Sequence, residues 1–397
     1  LWRYVRFLRH IQLWLQRKPI PLPQDPKYKP QDATVLIPTI CDNTEMLEVT
    51  IQKCALSRPS QIILVGVTNR KVLDPLVEKY VDEFRDHYGT SLKVLYSKEA
   101  NKRKQVAIGI KQIASSITVL VDDDVIWPDR LLHHLLAPLD NPTVGAAGTL
   151  QQVQLRPGLT LPEQLFEILG SFYIQRRNVE ITATTAIDGG TSCLSGRTAA
   201  VRTGILADPA FLAGYTAETW RGRILRADDD NFVTRWLYKR GWQIRVQVAP
   251  EAVVRTYQEV SPRFLKQCLR WVRSTWRSNY TTLVYDGDVW MKQPWSTYAL
   301  YTQVPFPSIL IDPLLLWLLL GATSPSTGTY TTSTVFLLWL ALTKTAKFTP
   351  LYRRHPRWLL FLPATLLFGY VHAFIRFYAL CTLSDTGWAS RPLIDAP

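Results

Sequence analysis

Cysteine is scarce in this chain: five residues in 397 (Cys41, Cys54, Cys193, Cys268 and Cys381), with no CxxC pair among them. An odd number without paired spacing excludes a disulfide framework or a structural zinc site as the organiser of the fold, and fits a reducing, cytosol-facing soluble part. Acidic residues are also in deficit, 32 Asp and Glu against 46 Lys and Arg, for a formal charge of +14. That excess admits nucleic acid, an anionic membrane face or a phosphorylated substrate, so its distribution has to choose. Much of it clusters beside apolar segments rather than in one basic, aromatic-bearing domain, which argues against nucleic acid. Apolar material is plentiful, with 47% hydrophobic residues and 14 Trp. A packed core and more than one domain are expected. The sequence starts at Leu1 rather than Met, and a longer product upstream is expected.

Residues 1–18 interleave Trp2, Val5, Phe7, Leu8, Ile11, Leu13 and Trp14 with Arg3, Arg6, Arg9, Arg17 and Lys18. A basic amphipathic helix of this kind suits a membrane surface, although a helix resting on its own domain shows the same pattern. Five prolines from Pro19 to Pro30 then make a stiff linker. From Thr34, apolar runs at 34–38, 61–67, 92–96 and 117–121 alternate with helical periodicity near 44–56, 73–86 and 104–114. Alternating βα units predict a parallel, doubly wound sheet, whose ligands bind beyond the carboxyl ends of the strands. Past about residue 296 the composition turns apolar, in segments 304–321, 334–342 and 358–380. The first and third are long enough to span a bilayer, and the second needs its Thr-rich flanks. The loop 322–333 has no Lys or Arg, whereas 344–357 carries Lys344, Lys347, Arg353, Arg354 and Arg357. The positive-inside rule assigns the basic loop to the cytosol.

The apolar run 117–121 leads straight into Asp122, Asp123 and Asp124. Three adjacent carboxylates repel one another unless something positive neutralises them. A hard divalent cation shared with substrate phosphates is the simplest neutraliser. Residues i and i+2 of an extended chain face one side, so Asp122 and Asp124 are expected to meet one ligand while Asp123 points away. The other reading of this acidic run is a cap on the helix after Asp129. A second cluster, Asp228 to Asp230, opens a helix ended by Gly241. An N-cap explains one of its carboxylates, and a carboxylate beside a reacting hydroxyl is the candidate general base. In a third feature, helical spacing puts Gln267, Arg270, Trp271 and Ser274 on one face, a planar cation beside an aromatic plate. Arg suits a diphosphate oxyanion and Trp the face of a sugar ring, although an amphipathic helix at a membrane surface has the same composition.

The ordered set TVLIP (34–38), NKRKQ (101–105), VDDD (121–124), GGTSCLSG (189–196), ADDD (227–230), QCLRW (267–271) and GWASR (387–391) resembles that of the processive, membrane-embedded family 2 glycosyltransferases. The likeness is greatest to the hyaluronan and chitin synthase branch and its fungal polysaccharide-synthase relatives, over roughly residues 34–391. The resemblance implies an α/β fold of GT-A type, with a doubly wound, mostly parallel sheet, interfacial amphipathic helices and C-terminal transmembrane helices. It implies a metal-dependent processive hexosyltransferase in which Thr39, Lys102, Arg103 and Asp122 contact the nucleotide. Asp124 with Asp122 would hold Mg²⁺ or Mn²⁺. Cys193, Ser195 and Gly196 resemble the acceptor loop, and Asp229 the general base. Gln267, Arg270 and Trp271 match a QxxRW motif, Arg270 on the diphosphate and Trp271 under the acceptor sugar. Trp388 and Arg391 resemble the loop that closes over the nucleotide. Implied partners are a nucleotide-sugar donor, a growing polysaccharide, the lipid bilayer and a second copy of the chain. Three departures stand out: the run 61–67 enters Thr68-Asn69 where relatives carry a uracil-contacting aspartate, WASR replaces WGTR, and SGR (195–197) replaces SGP.

The expected organisation is an amphipathic segment and linker over 1–30, a cytosolic catalytic domain over 31–260, interfacial helices over 261–300 and a transmembrane region over 301–397. That is a multi-pass protein of the plasma membrane. Pro363, Gly369, His372 and Arg376 are expected to let the third apolar segment bend back as a re-entrant or interfacial piece, because three single crossings would carry Trp388 and Arg391 outside. The rival functions are transfer of one sugar to a lipid carrier and a non-enzymatic membrane scaffold.

Overall fold

The computed structural model describes residues 2–68, 70–226, 228–303, 308–322 and 328–387. Seven strands, β1 (Ala33–Pro38), β2 (Gln61–Gly66), β3 (Ser91–Tyr96), β4 (Ile117–Val121), β5 (Val144–Thr149), β6 (Thr198–Arg202) and β7 (Gln243–Gln247), form one sheet in the order β7-β5-β6-β4-β1-β2-β3. β6 runs antiparallel to β4 and β5, and the other pairs are parallel. The mostly parallel α/β sheet expected from the sequence is therefore present. β1 and β4 are buried along their whole length, as strands covered by helices on both faces must be.

The helices that position the site are α1 (Trp2–Gln16), α2 (Thr44–Ala55), α3 (Arg70–Tyr88), α4 (Lys102–Ile110), α5 (Leu161–Ile187), α6 (Asp229–Lys239), α7 (Arg263–Tyr280), α8 (Ser308–Ala322), α9 (Thr329–Thr345) and α10 (Leu362–Cys381). One face of the sheet is filled by Leu47 and Ile51 of α2 with Leu73, Tyr80 and Phe84 of α3. The other takes Val106 and Ile110 of α4 with Val233 and Leu237 of α6. α4 starts two residues before its expected limit because Asn101 caps it, its Oδ1 accepting from Arg103 N (3.0 Å) and Lys104 N (3.3 Å). Lys102 thereby falls in the first turn. A Cβ on Gly109 would stand 2.2 Å from Leu36 Cδ1, so glycine lets α4 lie tight on β1.

α5, 27 residues long, was not anticipated. Its N-terminus nevertheless carries a Thr160/Glu163 capping box, with Thr160 N donating to Glu163 Oε2 at 2.9 Å. α1 rests on its own domain, Trp14 packing with Val179 and Ile181 of α5, while Val5, Leu8 and Leu15 face outward. The reading of residues 1–18 as a helix resting on its own domain therefore holds for one face of α1. α7 docks on α5 and α10 through Phe264, Cys268, Leu169, Phe368 and Ile375.

Among the described residues one stretch, Pro356–Cys381, is helical, long and apolar enough to cross a membrane; Ser308–Ala322 is shorter. Pro356–Cys381 corrects the expected bend: Pro363 sits in the first turn of α10, where its missing N–H costs no hydrogen bond, and the helix continues through Gly369 to Cys381.

Candidate active site

A cleft of about 1110 Å³ opens at the carboxyl ends of β1, β2 and β4 and is walled on the far side by α5 and α7. Its lining includes Thr39, Lys102, Asp122, Asp123, Asp124, Cys193, Ser195, Gly196, Asp229, Gln267, Arg270 and Trp271, so the geometry gathers sequence-distant motifs into one space.

Lys102 stands between the two acidic clusters. Its Nζ is 2.7 Å from Asp122 Oδ1 and 3.0 Å from Asp229 Oδ2. Burial opposes the ammonium charge, but Asp122 and Asp229 outweigh it and hold the Lys102 pKa well above its ordinary value. Asp230 accepts weakly from Gly196 N at 3.5 Å, and burial, then the Asp229 carboxylate, pushes its own pKa up. The loop at Gly196 is thus tethered to the second cluster. Asp123 does turn away: it is 7% exposed, and its Oδ2 accepts from Thr39 Oγ1 at 2.6 Å while its carbonyl accepts from Thr50 Oγ1 at 3.1 Å. Asp129 caps nothing; the short helix after it starts at Leu131, and Asp129 pairs with Lys53 instead.

Two expected nucleotide contacts are placed differently from the rest. Thr39 borders the cleft, but its hydroxyl is spent on Asp123 and its carbonyl accepts from Gln105 Nε2 at 2.8 Å. Arg103 does not line the cleft. It is 1% exposed, donating to Tyr215 O (2.8 Å) and Asp228 O (3.0 Å) and pairing with Glu218 (2.7 Å). Adjacent helical positions diverge by ~100°, so Lys102 and Arg103 cannot face one ligand together. Trp388 and Arg391 lie outside the described residues.

On α7, Gln267, Arg270, Trp271 and Ser274 all face the cleft as their spacing predicted. Ser274 Oγ accepts from Asn231 Nδ2 at 2.6 Å, locking α7 to α6. Burial lowers the Arg270 pKa, against the pull of Asp230 and Asp122. Trp271 packs on Tyr173 of α5 (ring centroids 5.0 Å), and Arg197 lies 5.6 Å over the indole. Arg177 donates to Cys193 O at 2.8 Å. Tyr173 and Arg177 escaped sequence reasoning because α5 did. The capping box and the apolar spacing behind it were the available signal. Arg197 was noticed only as a departure from SGP.

The family profile described as "Glycosyltransferase like family 2" matches residues 30–274. A "Type 2 glycosyltransferase" of Zymoseptoria tritici is 42% identical over 99% of this chain and 82% of its own length. "NDP-glycosyltransferase ltbB" of Aspergillus luteorubrus is 29% identical over 94% and 91%. A solved mannosyltransferase of Pyrobaculum calidifontis, in complex with GDP-Man and Mn²⁺, shares the fold with a TM-score of 0.50 and 15% identity over 94% of this chain and 96% of that one. The family match covers more than half the sequence and includes the β1–β4 strand ends, the acidic clusters and α7 as far as Ser274, and on that ground the chain belongs to the family 2 glycosyltransferases.

Proposed function

We propose that the chain is an inverting glycosyltransferase that takes a nucleotide-activated sugar, a UDP-sugar by its family resemblance, to lengthen a polysaccharide and pass it across a membrane. The observation that carries this is the convergence of Lys102, the outer aspartates of the first cluster, Asp229, Arg270 and Trp271 in one cleft. The relative named an NDP-glycosyltransferase supports a nucleotide-sugar donor.

Asp122 and Asp124 stay half-buried on the cleft while Asp123 turns inward, which presents two hard oxygen ligands together. That set fits Mg²⁺ or Mn²⁺ shared with a diphosphate. When bound, the ion supplies positive charge for the leaving diphosphate. The protein's own groups carry the rest. Asp229 takes the proton of the acceptor hydroxyl, whose oxygen attacks the anomeric carbon as the bond to the diphosphate oxygen breaks and its electron pair leaves with the nucleotide. Arg270 and Lys102 balance the charge that accumulates there, the term expected to lower the barrier most. Trp271, packed on Tyr173, borders the part of the cleft assigned to the acceptor sugar, and Cys193, Ser195 and Gly196 belong to the same lining.

A membrane placement for the C-terminal region is supported by the apolar span Pro356–Cys381 and by the outward-facing Leu310, Trp317, Leu338, Leu342, Phe374 and Phe377. Tyr280, Val284, Tyr285, Trp290 and Met291 extend the exposed apolar surface into 261–300, as interfacial helices require.

The test is nucleoside diphosphate release by the purified chain from a panel of UDP- and GDP-sugars, with Mn²⁺ or with chelator, followed by sizing of the product on a gel. Metal-dependent release and a long product are expected, and Asp229→Asn should cut turnover by about 10²–10⁴-fold with donor binding retained. Wild-type turnover by Asp229→Asn would refute the base assignment, and a single added sugar would refute elongation.

A further inference from the structure

Asp229 can act only from a fixed backbone, and the residue before it is held in an unusual way. Asp228 adopts a left-handed conformation, φ +66°, uncommon for a side chain with a Cβ. It occupies the N-cap position of α6, yet its side chain caps nothing. Its Oδ2 instead accepts from Arg277 Nε at 2.7 Å, with both side chains 3% exposed. Arg277 Nη1 points elsewhere, donating to the carbonyls of Leu383 (3.2 Å) and Asp385 (3.0 Å). One turn earlier on α7, Arg273 binds the same segment, with Nε and Nη2 3.0 and 2.9 Å from Thr382 Oγ1 and Nη1 2.5 Å from Asp385 Oδ2. The segment 382–387 leads in sequence directly to Trp388.

We propose that Arg277 is a positioning residue for the transfer reaction. One planar guanidinium ties Asp228, and through it the backbone of Asp229, to the seat of 382–387, so the base and the segment entering the GWASR motif are aligned together. This rests on the reading of Asp229 as the base. The fork geometry is what makes the role possible: arginine presents donors on different edges of one rigid plane, whereas a lysine ammonium is a single point. The pair is buried and so escapes the screening that weakens surface ion pairs. Arg273 supplies an internal control, because it holds the segment without touching Asp228.

The experiment uses the full chain and two readouts, hydrogen exchange of the amides 382–387 and the kcat and KM for donor turnover. Arg277→Gln should raise exchange across 382–387 at least tenfold. So should Asp228→Gly, which keeps the left-handed backbone and removes the acceptor for Arg277 Nε. Arg277→Gln should also lower kcat at least tenfold beyond Arg273→Gln. Arg277→Lys, which keeps the charge beside Asp228 but cannot also span to both carbonyls, should restore neither wild-type kcat nor protection of 382–387. The proposal is overturned if Asp228→Gly leaves exchange at 382–387 unchanged, or if the two glutamine variants give the same kcat and KM. Exchange decides the coupling of Asp228 to 382–387 independently of turnover: a wild-type chain that used no donor would sink the transfer reading and the positioning role with it, whereas unchanged exchange in an active chain would sink the positioning role alone.

Discussion

Removing the charge of Lys102 tests the electrostatics of the whole cleft. Its Nζ holds Asp122 at 2.7 Å and Asp229 at 3.0 Å, and the three side chains are 15%, 31% and 14% exposed. Lys102→Met keeps the apolar stem and leaves both carboxylates without their shared cation. Breaking a fully buried pair costs about 3–5 kcal/mol, and partial exposure brings the cost here to roughly 2–3 kcal/mol. In a domain of this size that is a fall in Tm of roughly 4–12 °C. The assay is thermal melting of the purified variant with and without Mn²⁺. A divalent ion among the same carboxylates replaces the missing charge, so Mn²⁺ should raise the Tm of Lys102→Met by more than that of the wild type. Adding Asp122→Asn to Lys102→Met removes one of the stranded charges and should recover part of the lost stability. If Lys102→Met melts within about 1 °C of the wild type, or Mn²⁺ shifts both equally, Lys102 is not the neutraliser of the two clusters.

Arg103→Gln should destabilise the fold by about 1–3 kcal/mol, because it removes the buried donors to Tyr215 O and Asp228 O and one of the two cations on half-buried Glu218, which keeps Arg235, while leaving the donor KM of the folded fraction within about twofold; melting and donor kinetics check the two halves. His10 has its pKa lowered from 6.5 to about 4, chiefly by burial. A base whose folded pKa is depressed binds its proton more weakly when folded, so its contribution is complete above pH 6.5 and is lost as the pH falls towards 4, by at most about 3 kcal/mol. Melting scans over that window should slope less in His10→Gln. Gly190→Ala would set a Cβ 2.1 Å from Ser296 Oγ, which itself donates to Asp188 Oδ1 at 2.6 Å. A loss of about 1–3 kcal/mol is expected in denaturant melts, partly relieved by Ser296→Ala.

The strand order of the central sheet needed tertiary information, but β1 to β4 were legible because each is a continuous apolar run, the mark of a strand covered on both faces. The acidic clusters and QxxRW were legible because their chemistry is unusual for their surroundings. Arg103 was misread for a simple reason: a basic pair in sequence says nothing about direction, and on a helix the second member turned to Glu218 and the aromatic rings of Tyr215 and Phe232. α5 was invisible because Arg176, Arg177 and Glu180 interrupt its apolar pattern. Those charges are half-buried, and Arg177 lines the cleft, so polarity there marks the wall of the site and not an outer surface. The third apolar segment was expected to break among Pro363, Gly369, His372 and Arg376, whereas the proline falls in the first turn, where a helix tolerates it, and α10 is continuous to Cys381.

Both acidic triplets follow one physical rule. Carboxylates crowded at the mouth of a sheet must be fixed individually or they repel one another out of register. In the first cluster Asp123 is anchored inward on Thr39, while Asp122 and Asp124 border the cleft beside it. In the second, Asp228 is anchored inward on Arg277, Asp229 is left to Lys102, and Asp230 steadies the loop at Gly196. Each triplet thus gives one carboxylate to the scaffold and keeps the other two on the cleft. The anchoring residues sit in different parts of the fold, Thr39 just past β1 for the first cluster and Arg277 on α7 for the second, and Lys102 bridges the two. Asp123→Asn can still accept from Thr39, so it should leave the Mn²⁺-induced rise in Tm intact, whereas Asp124→Asn should abolish it. Equal loss in both variants would mean that the inward carboxylate belongs to the metal set and that this division of labour is wrong.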